Sequence, residues 1–78
     1  MPTLLITGPY RIYFYSHETD EPPHIHVDRD MSSAKFWLSP VSLAGNIGFS
    51  AKELNKIYKI IVSNRESLLE EWNEYFNL

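Results

Sequence analysis

Seventy-eight residues, 44% hydrophobic and 14% aromatic, specify one folded domain over 1–78 with a small core, too apolar for intrinsic disorder. The absence of cysteine excludes a disulfide scaffold, thiolate chemistry and cysteine-ligated zinc. A net charge of −3 argues against a sequence-independent duplex binder, and the amino terminus shows neither a basic leader nor a membrane-length apolar run, so a cytoplasmic domain without a membrane partner is expected.

The first elements are strands. Gly8-Pro9 separates TLLI from YRIYFYSH, which predicts a hairpin whose second strand, Tyr10 to His17, carries the densest β-formers of the chain. ETDEPP, residues 18–23, ends in two prolines that cannot donate to a ladder and marks a loop. A strand follows at His24 to Asp28. After the turn-like RDMSS comes another, Ala34 to Leu38, which Ser39-Pro40 interrupts. Val41 to Ala44 reads as a short edge piece and GNIG as a turn toward a helix.

Ser50 and Glu53 form a capping-box pattern, so a helix begins here. At 100° per residue, Leu54, Ile57, Tyr58, Ile61, Leu68, Leu69, Trp72, Tyr75 and Phe76 fall within an arc of roughly 120°. That continuity predicts one long helix to about Phe76, bent near Asn64, although Asn64 is also a fitting cap for a second helix. A helix of about 25 residues is roughly 38 Å long and outruns strands of about 17 to 27 Å. Its far end therefore needs cover, either from the amino-terminal hairpin or the loop before the helix, or from a homodimer or small protein partner meeting Leu68, Trp72, Tyr75 and Phe76. Charge is segregated as well: the segment from Lys52 to Arg65 is net +3, and the segment from Glu66 onward is net −4.

These elements make an α+β domain, a three- to four-stranded antiparallel sheet with one long carboxy-terminal helix packed on one face. Period two divides the strands consistently. Tyr10, Ile12, Phe14, Ile25, Val27, Ala34, Phe36 and Leu38 form an aliphatic face that suits the helix. The opposite face holds Arg11, Tyr13, Tyr15, His17, His24, His26, Asp28, Lys35 and Trp37. Tyrosine and tryptophan are favoured in strands and pair across them, so stabilising the sheet accounts for part of this pattern.

Three chemistries fit the polar, aromatic face. His24 and His26, two residues apart, present both imidazoles on one side and would take zinc or another divalent metal, with His17, Asp28, Asp20 or Glu21 completing the set. The same two histidines suit general acid–base catalysis, as in a metal-free ribonuclease, with Arg11 or Lys35 beside the developing charge. Without catalysis, the face would stack single-stranded RNA bases or anchor a protein partner. No phosphate-cradling glycine loop is present.

The runs YRIYFYSHETDEPPHIHV, AKFWLSPVSLAGNIGFSAKEL and NRESLLEEWNEYF resemble the small bacterial domain of unknown function, family 4160. Its Pro-Pro-His-x-His motif is matched by Pro22, Pro23, His24 and His26, its Gly-Phe-Ser helix start by Gly48, Phe49 and Ser50, and its terminal segment by Glu70, Trp72 and Phe76. The resemblance implies a toxin-antitoxin-like protein that pairs with another small domain. It has no established activity to carry over, and it does not extend to His17.

Overall fold

The computed structural model describes residues 3–15 and 20–76. Strands β1 (Thr3–Thr7), β2 (Tyr10–Tyr13), β3 (His24–Arg29), β4 (Ser32–Leu38) and β5 (Val41–Ile47) precede helices α1 (Ala51–Ser63) and α2 (Arg65–Tyr75). The α+β class holds, with five strands among the described residues rather than three or four and two helices rather than one.

The sheet is an antiparallel meander, because every connection within it is local. Thr7 pairs with Tyr10, Arg29 with Ser32 and Leu38 with Val41, so three of the turns hold two residues each. Type I′ and II′ hairpin turns need positive φ, which Gly8 (57°) and Asp30 (55°) supply in the first two, whereas the third holds the cis Ser39-Pro40 bond.

β5 is longer than the short piece expected from the sequence. A bulge at Ala44, between the pairs Lys35–Gly45 and Phe36–Leu43, carries the strand through GNIG to Ile47. The turn comes later, where Asn46 receives the Phe49 amide at 3.1 Å and donates to the Phe49 carbonyl at 3.0 Å.

α1 starts as the cap predicts, with the Ser50 hydroxyl accepting from the Glu53 amide at 3.2 Å. The Glu53 side chain has another use. It accepts from Tyr10 at 2.9 Å and from Arg29 Nε and Nη2 at 2.6 and 2.8 Å, which fastens α1 to β2 and β3.

The single long helix is interrupted at Asn64, where φ is −112° and ψ is 11°. Its side-chain amide donates to the Ile60 carbonyl at 2.8 Å and competes there with its own backbone N–H, which is divided between the Ile60 and Ile61 carbonyls. Helical bonds still pass through the junction, from Asn64 N–H to Ile60 at 3.2 Å and from Leu68 N–H to Asn64 at 2.9 Å, so the axis bends and the apolar stripe continues. Arg65 then ties the start of α2 to the β4–β5 turn, donating to the Leu38 carbonyl at 2.8 Å and the Ser39 hydroxyl at 3.2 Å.

The core lies between the sheet and the helices and contains Ile12, Ile25, Val27, Phe36, Leu38, Ile57, Ile61 and Leu68. The residues assigned to the aliphatic face are all buried. Leu68 and Trp72, placed at an interface by the sequence reading, are buried within the same chain. Phe14 explains why: its ring lies 5.2 Å from Trp72, 5.1 Å from Tyr75 and 5.4 Å from Phe76, so the residue that follows β2 covers the far end of α2. Tyr75 stays exposed and Phe76 half-buried.

Candidate functional site

The strand register brings the polar residues together on the face opposite the aliphatic one, where α2 reaches one end, at His24, through Trp72. Arg11 stands opposite Asp28 and Tyr13 opposite His26 across β2 and β3, and His24 faces Trp37 and His26 faces Lys35 across β3 and β4. Gathered on one face, they differ sharply in access.

His24 has no exposed surface. Its ring sits 5.0 Å from Trp72, 5.7 Å from Trp37 and 5.3 Å from His26, and its Nδ1–H donates to the Pro22 carbonyl at 2.9 Å. The double proline now has a physical role. Proline cannot donate but still accepts: the Pro22 carbonyl holds the imidazole, and the Pro23 carbonyl takes the Leu38 amide at 3.1 Å, which opens the β3–β4 ladder.

Of the two described histidines, His26 is the one that reaches the surface. It stacks on Tyr13 with centroids 5.4 Å apart and planes at 21°, and the edge of Tyr15 meets it at 4.8 Å. Tyr13 beneath it is only 4% exposed and donates to Asp28 Oδ2 at 3.0 Å. Burial, reinforced by hydrogen bonding to Tyr15 and Asp28, holds the Tyr13 phenol well above its ordinary pKa of 10.0. Tyr13 is thus a neutral hydrogen-bond donor at physiological pH, and a base made from it is out of reach.

Two cations frame the rings. The Arg11 guanidinium lies 4.7 Å from the Tyr13 centroid, and the Lys35 ammonium lies 4.7 Å from the Trp37 centroid while bonding Glu21 at 2.6 Å. Beside His26 and Lys35 the face dips into a shallow concavity of ≈ 210 Å³, also bordered by Ser33, Gly45 and Ile47. A Cβ at Gly45 would meet nothing within 4 Å, so the missing side chain helps to open this space.

Among the described residues, no three histidine, aspartate or glutamate side chains come together to hold a metal ion. His17, the third ligand of the metal reading, lies outside the described residues. Arg11, Tyr13, Tyr15, His24, His26, Asp28, Lys35 and Trp37 are gathered, with Tyr13 and His24 serving as the floor and the others as the surface.

Ser33 escaped the sequence reading because RDMSS looks like a turn, and Gly45 and Ile47 because GNIG does; strict alternation from Val41 would put the last two on the opposite face, since the bulge at Ala44 reverses the phase. Also missed was the Tyr10–Glu53–Arg29 cluster on the helix side. There the Arg29 guanidinium, and then the Tyr10 hydroxyl, hold the Glu53 carboxyl below the usual range against the opposing effect of burial, and burial with the Glu53 bond raises the Tyr10 phenol. No short motif announces these three residues, whose meeting depends on the packing of α1.

No helix among the described residues is long and apolar enough to cross a membrane. No curated protein and no solved structure matches the chain. A family model does: residues 10–73, spanning both the gathered face and the helices that back it, match the model for Domain of unknown function (DUF4160), and the chain belongs to that family.

Proposed function

We propose that the domain is a binding module that holds a small protein partner on its open sheet face. One observation carries the reading: His26 lies stacked on the fixed floor of Tyr13, flanked by half-exposed Tyr15 and Trp37 and open to a concavity. Aromatic rings already held in place lose little freedom on binding, and Tyr, Trp and Arg are common anchors of protein interfaces. A net charge of −3 favours a protein over a nucleic-acid strand. Pairing with another small domain, in the toxin-antitoxin-like manner the family resemblance implies, is the setting this reading fits.

A two-histidine enzyme draws less support. Acid and base must both reach the substrate, and His24 is fully enclosed with its Nδ1 committed to Pro22.

Photo-crosslinking in cells tests the reading. A photoreactive residue replacing Trp37 is expected to give one discrete protein adduct that survives nuclease treatment and disappears with His26→Ala. The same residue replacing the exposed Met31, at the β3–β4 turn, is expected to give none. An adduct removed by nuclease, or equal adducts from both positions, would reject the proposal.

A further inference from the structure

The outer side of the helical layer carries a charge pattern that the open sheet face does not use. Lys52, Lys56, Lys59, Ser63, Glu66, Glu70 and Glu74 are all exposed. At 100° per residue they fall within an arc of roughly 80°, on the side away from buried Ile57, Ile61, Leu68 and Trp72. Because helical hydrogen bonds run through Asn64, they form one bent stripe, positive along α1 and negative along α2.

Within a single chain this stripe is unfavourable. Lys52 and Lys56 are like charges four residues apart, as are Glu66 and Glu70, and Glu70 and Glu74. The signs at the two ends also oppose the helix dipoles, with a lysine in the first turn of α1 and a glutamate in the last turn of α2. An opposite row laid alongside would offset all of these terms at once.

The stripe is the charge inverse of its own reverse. Counting outward from Ser63, Lys52 and Glu74 stand eleven residues away on the two sides, Lys56 and Glu70 seven, and Lys59 and Glu66 four and three. A two-fold axis beside Ser63 would therefore set each lysine against a glutamate of another copy, and each glutamate against a lysine, in both directions. An unrelated acidic or basic partner would match only half of it.

We propose that two copies of this chain associate antiparallel through this stripe, α1 of each lying on α2 of the other. A groove of ≈ 600 Å³ beside the lysines, lined also by Tyr10, Ser50 and Ile60, gives the contact an apolar margin. The sheet faces would point outward on both sides, so the dimer could engage two partners at once.

Sedimentation equilibrium on the intact chain provides the test. The expected mass is that of two copies at low salt and of one copy, 9.1 kDa, at about 1 M salt, where the Debye length is about 3 Å. Lys56→Glu and Glu70→Lys should each lower the association constant by about tenfold or more, because each sets like charges together twice across the axis. Mixing the two variants should restore association, since the reversed charge at position 56 of one copy then meets the reversed charge at position 70 of the other, and opposite signs face each other again. Both sites are exposed, so thermal melts at about 1 M salt, where the parent is also monomeric, should match the parent and show that folding is intact. A monomer at every salt concentration overturns the proposal. So does a dimer indifferent to salt and to both reversals, a result that would point instead to the open edge of β5.

Discussion

The Tyr13 hydroxyl donates to Asp28 Oδ2 at 3.0 Å across the β2–β3 pair, while Oδ1 of the same carboxylate is buried with no hydrogen-bond partner among the described residues. Asp28 therefore depends on Tyr13. Replacing Tyr13 with phenylalanine removes its side-chain donor and should cost about 1–3 kcal/mol, the range for stranding a buried polar group. Denaturant titration at neutral pH reads this loss.

The same phenol predicts an alkaline dependence. Its folded pKa lies above the ordinary 10.0, so its contribution to stability is present below pH 10.0 and is lost as pH rises through the folded value. Tyr10 is shifted in the same direction. The melting temperature should fall above about pH 10, and Tyr13→Phe should reduce that slope without abolishing it. An unchanged slope would show that Tyr13 is not protected as the geometry requires.

Glu53 behaves in the opposite sense. Arg29 and Tyr10 hold its folded pKa below 4.5, so its contribution is present above pH 4.5 and is lost as pH falls through the lower folded value. Glu53→Gln should thus destabilise the domain at neutral pH and make little difference in strong acid. Melting curves of parent and variant that converge with acidification would confirm this, and a constant gap would assign the loss to packing.

The two histidines should separate under mutation. His24 is enclosed by Trp37, Trp72 and His26, so His24→Ala leaves a cavity and should cost about 2–5 kcal/mol. His26 is half-buried and loses mainly its ring contacts, about 0.5–1.5 kcal/mol. Comparing their urea midpoints checks the division of labour between the floor and the surface.

Much of the architecture was legible from local signals. Alternation placed Ile12, Ile25, Val27 and Phe36 on the core face, Gly8 marked the first hairpin, and Ser50 marked the start of α1. β5 was cut short because a glycine-rich stretch reads as a turn, and only pairing with β4 supports a bulge at Ala44. At Asn64 a continuous apolar period concealed a local contest between side chain and backbone for the Ile60 carbonyl. Periodicity records which face is buried and carries no information about such a bend.

By itself the sequence determined which residues share a face, because period two in strands and 100° per residue in helices are properties of the backbone. It also determined the inverted charge order from Lys52 to Glu74, which is written residue by residue. Only the tertiary structure decided depth. His24 and His26 are equivalent in the alternation, yet Trp72, 48 residues away, arrives over one and leaves the other at the surface. Likewise, Phe14 reaches the end of α2 and makes core of residues that look like an interface. Burial depends on which distant surfaces meet, and local periods do not encode that meeting.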